Sequence, residues 1–291
     1  MIICTSPFLR EDRKTREVAK ELYSALDNLG ISHLELKNTR DYWCRDYMPV
    51  SLFDDGGYAK YEYKPDYLYE KKPFHQYITK QNDVLTNLRI STLSNMGIVF
   101  DGGNYVRAAG KVVMTDKIFM ENSQWPLQLL VERLHRSLMA DIVLLPWDMD
   151  DPYGHADGMV APLPDGRLLL NNYAQTAKRK KKNFYKRLKK ILVPHFDLVE
   201  LSYDCKLECN SWCYLNFLKV PGAVLLPCLE KNAECDNDQA ALDTFQRLFP
   251  NDKVIPIYAR PLIEKGGALH CVTWEYYMVN DKLELPISLE K

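Results

Sequence analysis

The sequence lacks several features that would assign it to a large class of proteins. No run of about 18 apolar residues is present, so no segment could cross a membrane as a helix. The net charge is only −1 over 291 residues, which gives no electrostatic case for a nucleic-acid partner. The glycine-rich patterns of nucleotide-binding loops are also missing. These absences exclude a membrane-spanning protein and leave no evidence for binding of nucleic acid.

We expect neither a secretory leader nor an interdomain linker. The chain starts with a strand-like segment, Met1–Cys4, without the basic stretch and apolar core of a secretory signal peptide. We therefore expect a cytoplasmic protein. No stretch rich in Pro, Gly or Ser divides the chain, and 46% of its residues are hydrophobic, so we predict one domain over residues 1–291. The basic run 178–182 is interpreted as a solvated helix start, with a targeting signal or a polyanion patch as the alternatives.

The eight cysteines are too few for a disulfide scaffold in a chain of this length. Cys205, Cys209 and Cys213 recur every four residues, which raises the question of a metal site. A structural zinc site would need a second pair of cysteines or clustered histidines, and neither follows. We interpret these residues as reduced, mostly buried thiols and predict no metal.

Hydrophobic periodicity predicts helices mixed with short strands, which is typical of the α/β or α+β classes. The predicted helices are Lys14–Leu29, Leu127–Met139, Ala177–Leu192 and Asp238–Phe249. The predicted strands are Ile2–Thr5, His33–Leu36, Ile98–Phe100, Val112–Thr115, Ile142–Leu145, Arg167–Leu170, Leu198–Leu201, Ala223–Leu226 and Val254–Ile257. Residues 163–166 (Leu-Pro-Asp-Gly) predict a hairpin turn. The tyrosine-rich segment Lys60–Gln81 shows neither regular period, and we predict that it forms a long ordered loop.

Four short motifs carry residues suited to one kind of chemistry. A cysteine nucleophile needs a proton shuttle, and a cationic substrate needs carboxylates around it. His155 and Asp157 are two apart, so on a strand their side chains would share one face. The motifs are Trp43-Cys44-Arg45-Asp46, Phe100-Asp101-Gly102-Gly103-Asn104, Gly154-His155-Ala156-Asp157 and Gly266-Gly267-Ala268-Leu269-His270-Cys271.

These motifs, in this order, resemble those of the agmatine deiminase branch of the guanidine-modifying enzymes, which also contains a bacterial peptidyl-arginine deiminase. The resemblance extends to Trp212–Phe217 and Gly222–Pro227 and covers nearly the whole chain. Asp101 departs from the pattern, because many members have glutamate there. Tyr153 departs too, because it stands where an aspartate is common. The resemblance implies the pentein fold, a five-bladed α/β propeller with pseudo-fivefold symmetry and the active site on its axis.

The resemblance also implies a role for each motif residue. Cys271 would be the nucleophile and His155 the general acid and base, with Asp101 orienting the histidine. Asp46 and Asp157 would clamp the guanidinium, and Trp43 would line the pocket. Carboxylates suit this task because a planar guanidinium presents its N–H donors in fixed directions. Without the resemblance, Asp46 reads as a salt-bridge partner of the adjacent Arg45.

The implied reaction is the hydrolysis of a guanidino substrate to a ureido product and ammonia through a covalent thiouronium on cysteine. Agmatine, converted to N-carbamoylputrescine in polyamine biosynthesis, is the first candidate substrate. The alternatives are a peptidyl-arginine or free arginine deiminase giving citrulline, an amidinotransferase, and an inactive binding module. No cofactor is expected, since thiolate, imidazole and carboxylates complete the cycle. The expected partner is a small guanidino compound, and dimers occur among the relatives.

Overall fold

The protein is described by a computed structural model that covers residues 1–52, 57–88, 90, 92–171, 173, 179–201 and 211–277. Its strands are β1 (Ile2–Thr5), β2 (His33–Glu35), β3 (Val50–Ser51), β4 (Gly57–Glu62), β5 (Thr92–Val99), β6 (Val106–Ala108), β7 (Lys111–Thr115), β8 (Asp141–Leu145), β9 (Val160–Pro162), β10 (Leu168–Asn171), β11 (Leu198–Leu201), β12 (Leu218–Val220), β13 (Ala223–Cys228), β14 (Lys253–Tyr258) and β15 (Trp274–Tyr276).

The helices are α1 (Phe8–Glu11), α2 (Arg16–Asn28), α3 (Cys44–Tyr47), α4 (Asp66–Tyr69), α5 (Gln81–Leu85), α6 (Lys117–Glu121), α7 (Leu127–Leu138), α8 (Arg179–Leu192), α9 (Asp236–Leu248) and α10 (Arg260–Ile263). Short 3-10 turns cover Lys72–Tyr77, Gly102–Asn104, Ala156–Gly158, Ser211–Leu215 and Lys231–Ala233. Within the described ranges, no helix is both long and apolar enough to cross a membrane.

The strands form five three-stranded sheets with the same internal plan. In each sheet the central strand pairs antiparallel with one neighbour and parallel with the other. The antiparallel neighbours of four sheets join through hairpins, such as β9 to β10, where the N–H of Leu163 donates to the carbonyl of Arg167 at 3.0 Å. A parallel pair needs a longer crossover, which helices supply. The chain therefore repeats one hairpin-and-crossover unit.

The first sheet differs from the others because it is assembled from both ends of the chain. Its central strand β1 pairs with β2 in parallel and with β15 in antiparallel orientation, so that Cys4 lies opposite Trp274. Helix α2 of this first unit also contacts the last unit, where Oε2 of Glu21 accepts a hydrogen bond from the N–H of Tyr258 at 2.8 Å. The fifth unit therefore lies against the first.

The crossover helices bury the apolar faces that their periodicity predicts. Helix α7 places Leu130, Leu134 and Leu138 in a cluster with Ile98 of β5 and Met114 of β7, so it covers two consecutive sheets. In the same way α8 packs against strands of the third and fourth sheets. Burial of each of these leucines stabilises the fold by about 1.5–3 kcal/mol. Each of these two apolar clusters contains side chains of two consecutive units and so joins them.

The predicted elements agree with this architecture, with one correction. All nine predicted strands and all four predicted helices are present, although residues 177 and 178 at the start of the third helix lie outside the described ranges. The prediction of one long loop for the segment Lys60–Gln81 is wrong. It begins in β4, contains α4 and the 3-10 turn Lys72–Tyr77, and reaches the first residue of α5. Its helices are single turns separated by prolines, so the sequence shows no hydrophobic period long enough to predict them.

Candidate active site

The residues predicted to form the site lie in four of the five equivalent connections between units. Each of these connections runs from the third strand of one unit to the first strand of the next. Asp46 lies between β2 and β3, Asp101 between β5 and β6, His155 and Asp157 between β8 and β9, and Cys271 between β14 and β15. The fold therefore explains why residues far apart in sequence meet.

His155 lies between two carboxylates. Its Nε2 is 3.3 Å from Oδ2 of Asp101, and its Nδ1 is 3.7 Å from Oδ1 of Asp46. Burial alone would lower the pKa of His155, but the charge of Asp46 and the hydrogen bond and charge of Asp101 outweigh it and raise the pKa to about 10. The imidazole therefore carries a proton at neutral pH and can donate it.

Asp46 has an unusual environment for a carboxylate. Burial raises the pKa of Asp46 well above its usual range, although the His155 charge opposes this effect. Among the described residues, Oδ1 of Asp46 has no hydrogen-bond donor within bonding geometry. A buried carboxylate oxygen without a donor is costly, and a bound N–H group would satisfy it.

Cys271 is buried beside Asp157. Its Sγ lies 3.7 Å from Oδ2 of Asp157, and its backbone N–H donates to Oδ1 of Asn216 at 3.1 Å. Burial raises the pKa of the Cys271 thiol well above its usual range, and the charges of Asp157 and Asp46 raise it further. Without a bound cation, sulfur is therefore held as the thiol.

Asp157 is held in place by two side chains. Its Oδ2 accepts hydrogen bonds from Nδ1 of His270 at 2.8 Å and from Nδ2 of Asn216 at 3.1 Å. Burial would raise the pKa of Asp157, but the hydrogen bond and charge of His270 and the charges of His155 and Arg45 lower it below the usual range. Asp157 is therefore a carboxylate at neutral pH and adds negative charge next to Cys271.

Two glycines allow the motifs to approach each other closely. A Cβ atom on Gly103 would overlap Nδ1 of His155 and lie 2.9 Å from Oδ1 of Asp46. A Cβ atom on Gly267 would overlap the ring of Trp43. The motif glycines thus make room for the imidazole and for the predicted pocket-lining indole.

Two interpretations of the motifs are corrected by the structure. Arg45 does not pair with its neighbour Asp46; its Nη2 lies 2.6 Å from Oε2 of Glu275, and its N–H donates to the carbonyl of Cys271 at 3.1 Å. His155 and Asp157 do not share a strand, because Asp157 lies in the 3-10 turn Ala156–Gly158. Both side chains are nevertheless buried, at 8% and 5% exposure.

Asn216 is a site residue to which the sequence assigned no role. It occupies the fourth connection, between β11 and β12, and links Asp157 to the cysteine-bearing turn. Its Oδ1 also accepts the N–H of Ala268 at 3.0 Å. The available signal was the fivefold plan, which places one side chain of each connection at the site, but that plan is visible only in three dimensions.

The metal question concerns a different part of the chain. Cys205 and Cys209 lie outside the described residues, and Cys213 is buried in the largest apolar cluster. Among the residues that the structure describes, no three His, Cys, Asp or Glu side chains are grouped so as to hold a metal ion. The site described above contains the thiol of Cys271, the imidazoles of His155 and His270, three carboxylates and the amide of Asn216.

Comparison with known proteins identifies the family. The model of the Porphyromonas-type peptidyl-arginine deiminase family matches residues 5–276. The chain belongs to this family. Among curated members, the agmatine deiminase of Pseudomonas putida is 25% identical over 292 residues, which span 85% of this chain and 77% of the relative.

Solved structures of other deiminases have the same fold as this family member. The C. jejuni agmatine deiminase superposes with a TM-score of 0.70 at 17% identity and covers 95% of this chain and 93% of its own. The agmatine deiminase of Enterococcus faecalis gives a TM-score of 0.69 at 16% identity, with 96% and 93% covered. The chain thus shares the mixed helix-and-strand pentein fold of these deiminases.

Proposed function

We propose that the protein hydrolyses the C–N bond of a guanidino compound, with agmatine converted to N-carbamoylputrescine and ammonia. One observation carries the proposal. Oδ1 of Asp46 is buried without a hydrogen-bond donor among the residues that the structure describes, and it lies 3.7 Å from Nδ1 of His155. A guanidinium would supply the missing N–H donors and balance the negative charge of the site. The names of the relatives support the same substrate class.

The first half of the reaction uses Cys271 as nucleophile and His155 as acid. The substrate cation, bound between Asp46 and Asp157, offsets their charges and lowers the pKa of the thiol. The thiol loses its proton to solvent, and the resulting thiolate forms a C–S bond with the guanidinium carbon. The protonated imidazole donates its proton to the departing nitrogen, the C–N bond breaks, and ammonia leaves a covalent thiouronium.

The second half returns the enzyme to its starting state. His155, now neutral, accepts a proton from a water molecule, and the oxygen attacks the thiouronium carbon. The C–S bond breaks, the departing sulfur takes up the remaining hydroxyl proton, the neutral ureido product leaves, and Cys271 returns to the thiol. Asp101, 3.3 Å from Nε2, keeps the imidazole oriented through both proton transfers. Each turnover consumes one water and produces one ammonia.

A second candidate is the deimination of arginine, free or within a peptide, to citrulline. The family model favours it, because its description names a peptidyl-arginine deiminase. An arginine substrate also carries a carboxylate or peptide groups beyond the alkyl chain, and these need room or a cation at the entrance of the site. A guanidine panel would decide between the two candidates. Turnover of arginyl peptides but not agmatine would replace the first proposal with the second.

The architecture proposed here is a closed five-bladed propeller formed by residues 1–291 as one domain. Two contacts between the chain ends support closure: β15 completes the first sheet, and α2 lies against β14. The site would then lie on the axis, where the five connections meet. The cytoplasmic location and the homodimer stay predictions.

The test of the function is ammonia release by the purified protein. Agmatine, arginine, an arginyl peptide and a methylated arginine would be compared for the wild type, Cys271→Ala and the matched control Cys235→Ala. We expect the wild type and the control to act on agmatine, whereas Cys271→Ala is inactive and a covalent adduct is seen by mass spectrometry only when Cys271 is present. Ammonia release by Cys271→Ala would remove the nucleophile assignment. No turnover by the wild type would favour the binding module.

A further inference from the structure

The segment Lys60–Gln81 contacts the loop that carries His155 of the candidate active site. Between β4 and α5 it forms α4 and a 3-10 turn, with tyrosines on both of its sides. Tyr69 and Tyr77 are 48% and 44% exposed, whereas Tyr63 and Tyr67 are half-buried. The inward tyrosines therefore face the protein, and we call residues 63–78 the aromatic segment.

Tyr67 of the aromatic segment contacts Tyr153 from the motif loop of His155. The two rings meet edge to face, with centroids 5.0 Å apart. Burial raises the pKa of Tyr67, and the charges of Asp101 and Asp46 raise it further. The ring pair thus joins the aromatic segment to the loop that carries His155.

Tyr153 reaches the cysteine side of the same site. Its ring centroid is 5.9 Å from that of His155, and its edge lies 2.8 Å from the position of a Cβ atom on Gly266. Gly266 has a φ of +92°, which glycine adopts readily, and it leaves the space that the tyrosine ring occupies. Tyr153 and Trp43 therefore lie against consecutive glycines, Gly266 and Gly267, of the turn that carries Cys271.

Lys117 of α6 holds the aromatic segment in this position. Its side chain is 1% exposed, and its Nζ lies 3.0 Å from Oδ1 of Asp66 and 2.8 Å from Oε1 of Glu121. The same ammonium is 5.4 Å from the centroid of the Tyr67 ring, within the range of a cation–π interaction. A buried lysine thus ties both Asp66 and Tyr67 to the body of the protein.

We propose that Tyr67 and Tyr153, held by the Lys117–Asp66 ion pair, are specificity-determining residues that admit a small guanidino compound and exclude arginine within a peptide. This inference rests on the proposed function. With the ring pair in place, Cys271 is only 6% exposed and His155 only 8%. A peptide backbone could not follow an arginine side chain into such a site without displacing the ring pair, whereas a slender alkyl amine has no backbone to accommodate.

The test compares the substrate preference of four variants with that of the wild type. Tyr67→Ala removes the ring and Asp66→Asn weakens the ion pair, while Tyr67→Phe keeps the ring. Tyr69→Ala is the matched control, since it removes an exposed tyrosine from the same helix. The readout is the ratio of kcat/KM for agmatine to that for arginine blocked at both ends by acetyl and amide groups.

We expect Tyr67→Ala and Asp66→Asn to lower the ratio by about tenfold or more, the range that loss of a ring pair or a charged hydrogen bond allows. Tyr67→Phe and Tyr69→Ala should keep the wild-type ratio. An unchanged ratio in Tyr67→Ala, or an equal change in Tyr69→Ala, would overturn the assignment.

A second readout needs no turnover and separates this inference from the proposed function. Alkylation of Cys271 by iodoacetamide, located by peptide mass analysis, reports how well the ring pair covers the thiol. Tyr67→Ala and Asp66→Asn should be alkylated about tenfold faster than the wild type and Tyr69→Ala. An unchanged alkylation rate in Tyr67→Ala would refute the inference that the ring pair shields Cys271, even if the enzyme is active. Faster alkylation of this variant, in a protein that hydrolyses no guanidino compound, would support the shielding and contradict only the proposed function.

Discussion

The side-chain oxygen of Asn216 accepts the backbone N–H of Cys271 at 3.1 Å. The same amide donates to Asp157, so one side chain positions both the nucleophile and the carboxylate beside it. Asn216 is 1% exposed, and its neighbours are buried too. The distance between sulfur and carboxylate therefore depends on a residue that carries no charge and takes no part in proton transfer.

Replacing Asn216 by Ala should damage both stability and activity. The change leaves the buried N–H groups of Ala268 and Cys271 and one oxygen of Asp157 without that partner. Each unsatisfied group costs about 1–3 kcal/mol, so we expect a loss of about 3 kcal/mol in the free energy of unfolding. A misplaced cysteine should lower kcat by about 10²-fold.

Leu22→Ala is the control for this prediction. Leu22 is a buried residue of α2, and its truncation should cost about 2–5 kcal/mol. Denaturant titration and agmatine kinetics would be measured for both variants. If Leu22→Ala reduces kcat as much as Asn216→Ala does at comparable stability, the inference that Asn216 positions the cysteine is wrong.

The space at Gly103 gives a second prediction. In Gly103→Ala the new methyl group would overlap the imidazole of His155 and approach Asp46, so the imidazole must move. We expect kcat to fall by about 10²-fold, because displacements near 1 Å already have effects of that size. Gly158→Ala is the matched control, since a Cβ atom there would meet nothing within 4 Å. Equal activities of the two variants would contradict the tight fit.

Much of the fold could be predicted from the sequence, because long amphipathic helices and apolar strands show their period directly. Helix α8 (Arg179–Leu192) and strand β11 (Leu198–Leu201) are examples. Strands such as β3 (Val50–Ser51) and β6 (Val106–Ala108) are too short to show a period. The fivefold plan shows no repeat in the sequence and was implied only by the family resemblance, because its units share the geometry of strand pairing and not residue types.

The candidate site was predictable to the extent that its residues stand in motifs. Cys271, His155 and the three aspartates could be named from the sequence, and the structure places them in corresponding connections. Contacts between distant residues were not predictable. The pairing of Arg45 with Glu275 replaced the expected pairing with its neighbour, because β15 returns to the first sheet. The 3-10 turn at Asp157 was likewise hidden, since Gly154 has a φ of +66° and redirects the chain.

The protonation of His155 gives a third prediction. Its pKa, raised from 6.5 to about 10 against the effect of burial, means that the folded state binds this proton more tightly than the unfolded state. The resulting stability is fully present below about pH 6.5 and is lost as the pH rises through about 10. His155→Gln should therefore lose less stability than the wild type over this alkaline range.

NMR titration of the imidazole would measure the pKa directly. Asp101→Asn removes the charge next to Nε2 and should lower the pKa of His155 by about one unit or more. Asp165→Asn is the control, because Asp165 is an exposed carboxylate paired with Arg167 on the hairpin turn. A pKa of His155 near 6.5 in the wild type would show that the carboxylates do not act on it as the geometry requires.

The buried pair of Arg45 and Glu275 gives the last prediction. Their side chains are 12% and 19% exposed, and Arg45 also donates from Nε to the carbonyl of His270 at 3.3 Å. Glu275→Gln leaves a largely buried guanidinium without its counter-charge, so we expect a loss of about 3–5 kcal/mol in the free energy of unfolding.

The same pair should make stability depend on pH. Burial would raise the pKa of Glu275, but Arg45 lowers it below its usual value of 4.5. The contribution of the pair to the free energy of unfolding is thus present above pH 4.5 and is lost as the pH falls through the lowered pKa. Glu275→Gln has no such contribution to lose, so its stability should fall less on acidification. Glu35→Gln breaks the more exposed pair with Arg10, and it should cost much less than Glu275→Gln, because solvent screens that pair. Equal losses in the two variants, measured by denaturant titration, would show that burial of the Arg45 pair adds nothing.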